Sequence, residues 1–257
     1  MRRETQRRVV SALVRICFLC ITLLVCLAEP LAAPDLRDRI ICREQVSAPR
    51  REILAEKLRG ITHLPVSFDE NGALRVADAS ATGGSQTARG LISKALAGSN
   101  VILLEDASGR QDVVFSQVVS AKWKHHTSKM PPVFVVLIDF ADFDHLLGDE
   151  AALKSFDVGW AFLHELDHVV NDSLDARDAE QTGECEAHIN PMRRECNLPL
   201  RANYFFTYLP FTQRDFRTRF VRLPFEHTDA LTSKHRRYWV MWDAGLVGGL
   251  PEIAKTN

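Results

Sequence analysis

Trp160-Ala161-Phe162-Leu163-His164-Glu165-Leu166-Asp167-His168-Val169-Val170 decides how this chain is read. With Phe156 upstream, the stretch is apolar enough for a helix buried through a core, and the helical reading covers 156–170. His164 and His168 are four residues apart, so a helix projects both imidazoles from one face. Two nitrogens placed this way can ligate one metal ion. Glu165, beside the first histidine, can then serve as general base toward water. The metal would polarise a substrate carbonyl and lower the pKa of water, which makes the pattern hydrolytic. H-E-x-x-H arises by chance in roughly 2% of chains of this composition, before a helix is required.

A catalytic zinc usually has three protein ligands. The extension His-x-x-Gly-x-x-His is absent, because Asn171 stands where glycine would be and Leu174 where histidine would be. Residues 171–182, with Asp172, Asp175, Asp178 and Glu180, read as a solvated acidic connection. Residues 183–195 read as a second helix, starting or kinking at Pro191. Glu186 shares an inward-looking face of that helix with Ile189, Asn190 and Arg193, and is the first candidate for the third ligand. His188 and Glu184, on another face, are the alternatives.

Upstream, Arg50–Leu58 reads as a helix closed by Gly60. Ile61–Phe68 and Ala73–Ala77 read as strands around a turn, and Thr87–Ala97 as a helix. Val101–Leu104 and Asp112–Val119 read as strands, and Val133–Ile138, a continuous apolar run, as a buried strand. A short helix is expected over 144–154. Trp239 and Trp242, with Val240 and Met241, read as late-chain core or a strand, and His227 as a residue after a strand. The basic loop with His125 and His126 reads as solvated. Strands mostly precede helices, so the class is α+β in a single domain, 34–257.

The 257 residues are 46% hydrophobic and 25% charged, an ordinary globular balance. Residues 1–33 carry five arginines against Glu4 and Glu29. The remainder has 27 basic and 31 acidic residues, a net charge of −4, which argues against nucleic acid as a partner. The basic opening, the apolar run Ile16–Ala28 and small residues at Ala28, Ala32 and Ala33 form a signal peptide or N-terminal anchor. Secretion, or residence in the periplasm or cell envelope, follows, with membrane contact only if the segment stays uncleaved. Cys42, Cys185 and Cys196 remain after cleavage and are expected as free thiols, since a helix would separate the last two by about 16 Å.

His164-Glu165-Leu-Asp-His168 with its preceding strand resembles the zincin zinc metallopeptidases. The block from Glu186 to Tyr204 resembles the segment after the motif in effector-type bacterial zinc endopeptidases and their secreted relatives. The resemblance covers about residues 133–204. It implies a zincin-like fold, with a twisted, mostly antiparallel sheet, an active-site helix and a second helix supplying the third ligand. It implies Zn2+ on His164, His168 and Glu186, with Glu165 as the catalytic base and a peptide or protein as substrate. It also implies that Val133–Ile138 is the sheet edge that pairs with substrate, that Arg193 neutralises a nearby carboxylate, and that Tyr204 donates to the oxyanion.

Overall fold

Two apolar runs, Val101–Asp106 and Val133–Ile138, form the centre of the fold. They pair in parallel, from Val101 opposite Val133 to Asp106 opposite Ile138. The computed structural model describes residues 38–77, 82–121, 130–178, 181–209, 219–229 and 232–247. The expected signal segment and the His125–His126 loop lie outside the described residues. In chain order the first elements are β1 (Ile40–Cys42), α1 (Ala48–Thr62), β2 (Val66–Phe68), β3 (Leu74–Val76) and α2 (Gln86–Ala97). There follow β4 (Val101–Asp106), β5 (Ser116–Ser120), β6 (Val133–Ile138), α3 (Phe140–Asp144), β7 (Leu147–Gly148) and α4 (Glu150–Ser155). The chain continues with α5 (Val158–Asn171), α6 (Gly183–Glu195), β8 (Leu200–Arg201), β9 (Thr207–Tyr208), β10 (Phe220–Thr228) and β11 (His235–Asp243).

The class is α+β, with one mixed sheet and two antiparallel ones. The mixed sheet runs β1-β4-β6-β5. β1, β4 and β6 are parallel, and only β5 is antiparallel. This corrects the expectation of a mostly antiparallel sheet. It also moves Val133–Ile138 from the edge to the interior, and the edge beside the long helix is β5. Composition explains the exchange. β6 buries side chains in two separate core clusters, Val136 and Ile138 in one and Val135 and Leu137 in the other, so it gains from a neighbour on each side. β5 carries Ser116, Gln117 and Ser120, polar residues that a sheet edge tolerates.

The second sheet runs β7-β11-β10-β8, with β9 also on β10, and is wholly antiparallel. Its inward residues Val221, Leu223, Phe225, Val240 and Trp242 pack with Phe115 and Phe156 into a core of their own. Trp242 is thus a core residue, as read, whereas His227 lies within β10. β2 and β3 form a small antiparallel pair around Gly72.

α5 packs on α1, α2 and α6 and on strands β5 and β6. Its apolar residues face inward on nearly every side, so the helix is stabilised by burial. Asp157 caps it, accepting from the N–H of Gly159 at 2.9 Å and of Trp160 at 3.3 Å. Gly159 lets α1 come close, since a Cβ there would lie 2.8 Å from Lys57 Cβ. α1 runs past Gly60 and ends at His63, whose φ is +58°. The short helix expected over 144–154 is instead two, α3 and α4. Cys42, Cys185 and Cys196 are free thiols.

Candidate metal centre

Four turns of α5 bring His164, Glu165 and His168 to the face between β5 and the loop that leads to α6. His164 Nε2 and His168 Nε2 are 3.2 Å apart. Asp175 Oδ1, from that loop, lies 3.1 Å from the first and 3.3 Å from the second. The opposite ring nitrogens are engaged. His168 Nδ1 donates to the Ser173 carbonyl at 2.7 Å, and His164 Nδ1 faces Glu186 Oε1 at 3.1 Å. An N–H at each Nδ1 leaves a lone pair on each Nε2. Two ring nitrogens and a carboxylate oxygen thus crowd one point, where either protons on the rings or a metal ion would satisfy them.

The ionisation tendencies agree. Burial would lower the pKa of both histidines, yet Asp175, together with Cys185 and Glu186 at His164 and with the Ser173 carbonyl at His168, raises both. Asp175 moves the other way: burial would raise it, but hydrogen bonds from both histidines hold it far below the usual carboxylate range.

Glu186 is fully buried behind His164, on the Nδ1 side of the ring. Its Oε1 also accepts from Arg201 Nη1 at 2.9 Å, and its Oε2 accepts from Arg193 Nη1. Burial opposes its ionisation, and Arg193 and Arg201 overcome that, holding it well below its ordinary pKa. With both oxygens committed, Glu186 sits on the far side of the ring from the point shared by the two Nε2 atoms. The expected third ligand therefore occupies an orienting position, and the physical reason is its two guanidinium partners. His188, half-exposed, donates from Nδ1 to buried Asp167 at 2.9 Å. Glu184 is exposed and accepts from the Leu174 N–H at 3.1 Å. Neither alternative reaches the shared point.

Sequence reasoning passed over Asp175, because a carboxylate in an irregular acidic loop has no periodicity to single it out. The loop is clamped to α6 by the N–H groups of Glu184 and Cys185, which donate to the Leu174 carbonyl at 2.9 and 3.3 Å. Gly183 permits the clamp. Its φ is +81°, and a Cβ there would meet Ala176 N at 2.4 Å. Cys185 was also missed as a neighbour: its thiol donates to the His164 carbonyl at 3.3 Å and lies 3.2 Å from Nδ1. Burial pushes that thiol up to about 12.

Glu165 is 5% exposed, and its Oε1 accepts from Ser116 Oγ at 2.7 Å. The base expected from sequence is thus tied to the edge strand. Tyr204 stacks near His164, with ring centroids 6.1 Å apart. Burial raises the pKa of its hydroxyl, and the nearby Asp175 carboxylate adds to the effect. An open groove of about 970 Å³ runs along β5 past Glu165, His168 and Tyr204.

The buried group His164, His168 and Cys185 could hold a metal ion, its ligand atoms all within 4.8 Å of one another. Asp175 offers the tighter set with the same histidines. No helix among the described residues is long and apolar enough to cross a membrane. The chain matches no family model, no curated protein and no solved structure.

Proposed function

We propose that the chain is a zinc-dependent hydrolase, a metalloendopeptidase of zincin-like build, acting on peptide or protein substrates. One observation carries the reading: the Nε2 atoms of two histidines and a carboxylate oxygen meet at a single point beside Glu165. Tetrahedral zinc bonds of about 2.0–2.1 Å imply ligand atoms about 3.3–3.4 Å apart, and the three separations are 3.1, 3.2 and 3.3 Å. On this reading His164, His168 and Asp175 hold the ion, and Glu186 orients His164 through Nδ1. The Cys185 thiol is less suited, because it lies against Nδ1 and the carbonyl of His164 rather than against the paired Nε2 atoms.

Zinc supplies Lewis acidity toward a carbonyl and toward water when bound. The chain's own groups supply the remainder. Glu165 accepts a proton from water and passes it to the leaving amine. The Ser116 hydroxyl fixes the carboxylate that performs the transfer. Tyr204, stacked near His164 and lining the same groove, can donate its hydroxyl to developing negative charge. β5, an antiparallel edge strand among the described residues, can offer outward backbone groups to an extended peptide in the groove. The N-terminal segment supports export to the cell envelope or beyond.

The test is metal content and turnover in paired variants of the full chain. Wild type should bind about one zinc per chain and cleave a mixed peptide library. Glu165→Gln should keep the zinc and lose at least about a hundredfold in turnover. Asp175→Ala should lose the zinc. Equal turnover by Glu165→Gln would remove the mechanism. The observation that favours a second reading, a closed non-catalytic metal site, is the proximity of Cys185. That reading predicts a thiolate-to-metal charge-transfer band on cobalt substitution, absent in Cys185→Ser, and no turnover.

A further inference from the structure

Glu184, Glu186 and His188, rivals for the third ligand on sequence grounds, all lie in the first two turns of α6. None reaches the point shared by the two Nε2 atoms, yet each supports a different group that does. Glu186 meets His164 at Nδ1. Glu184 accepts from the Leu174 N–H, one residue before Asp175. His188 is left, and its contacts run through the loop to His168.

Where α5 ends, Asp172 takes a left-handed φ of +55° and turns the chain back on the helix. The reversal brings the Ser173 carbonyl to His168 Nδ1 at 2.7 Å. A carbonyl on an irregular loop fixes a ring only if the loop is itself fixed. Ser173 is 5% exposed, and its Oγ lies 3.1 Å from His188 Nδ1. The same Nδ1 lies 2.9 Å from Oδ2 of Asp167, whose side chain has no solvent exposure. A buried carboxylate requires a donor, so this nitrogen carries the proton and its N–H lies against both oxygens. Asp167 Oδ1 accepts from Asn171 Nδ2 at 2.5 Å, which ties the last turn of α5 to the same carboxylate. One imidazole thus joins α6, which carries it, to α5 through Asp167 and to the loop through Ser173.

We infer that His188 is a positioning residue for the metal centre: through Ser173 it holds the carbonyl that fixes the His168 ring with Nε2 toward the ion. The inference rests on the hydrolase reading, in which His168 is a zinc ligand. The rival role, neutralising buried Asp167, would affect stability alone.

The test compares full-length wild type with His188→Ala, His188→Asn and His188→Gln. An asparagine amide nitrogen takes the place of Nδ1, whereas that of glutamine takes the place of Nε2. His188→Ala should bind zinc at least about tenfold more weakly than wild type. His188→Asn should recover most of that affinity, and His188→Gln should not. Cobalt at saturation is the second probe, because its visible absorption reports ligand geometry. The spectrum should change in His188→Ala and return in His188→Asn, which lost stability alone would not produce. Amide exchange over residues 172–176 of the metal-free chain is the third measurement. It should quicken in His188→Ala and slow again in His188→Asn. Wild-type zinc affinity in His188→Ala overturns the inference, as does a glutamine variant equal to the asparagine one. An unchanged cobalt spectrum in His188→Ala also overturns it and leaves the neutralising role. Wild type that takes up no zinc overturns the hydrolase reading and with it the positioning of a ligand. Amide exchange then decides the loop contact by itself, and an unchanged rate in His188→Ala overturns that too.

Discussion

Glu186 has no solvent exposure, yet its charge is matched three ways, by Arg193, Arg201 and His164. Removing one member of such a cluster is worse than never having built it, since the remaining charges stay buried. Glu186→Gln should therefore destabilise the protein by about 3–5 kcal/mol. It should also weaken zinc binding by about 10–100-fold, because a neutral amide holds the His164 ring less firmly than the carboxylate does. Urea unfolding and a zinc titration read the two effects, and a variant as stable as wild type would contradict the first. The helical face that Glu186 shares with Ile189 and Arg193 does point inward, so its burial was legible in the sequence. Which ring nitrogen it would meet was not, because that depends on how α6 lies across α5. His164, Glu165 and His168 were legible as a set because helical spacing alone brings them together.

At the scale of elements, the stretch from Phe115 to Ser120 positions the proposed base, Glu165. Phe115 has φ +62°, a region that bulky residues rarely enter, and its N–H is held by Asp142 Oδ2 at 2.9 Å. The next residue, Ser116, donates to Glu165. Burial pushes Asp142 up to about 6, and nearby Asp139 adds to the effect. A carboxyl raised in the folded state contributes stability below its ordinary pKa and loses that contribution as pH rises through about 6. Asp142→Asn cannot ionise, so its stability relative to wild type should improve from about pH 5 to about pH 8. Urea unfolding of both proteins at the two pH values checks this, and a constant difference would count against it. The strand itself was read as 112–119 but begins only at Ser116. Alternation could not reveal that Asp142, 27 residues from Phe115, turns the preceding residues aside.

For the whole molecule, the candidate centre joins pieces far apart in the chain: α5, the Asp175 loop clamped to α6, and a base tied to β5. A ligand that binds only the folded arrangement stabilises it by mass action. Free zinc at about a hundred times its dissociation constant should add about 2.7 kcal/mol. Melting temperature should accordingly climb with zinc in wild type and stay flat in His168→Ala; a flat wild-type curve would contradict the site. The α+β class was legible from the order of strands and helices. The mixed order β1-β4-β6-β5 was not, because parallel partners are chosen by long-range packing that local pattern does not encode. β5 ends that sheet among the described residues, and the same edge has a cost outside the proposed catalysis. A strand free to accept a peptide is free to accept another copy of itself, and Val119 on it is 37% exposed. Ser116, Gln117 and Ser120 blunt that tendency without closing the edge, so self-association at high concentration is the liability such an open groove brings with it.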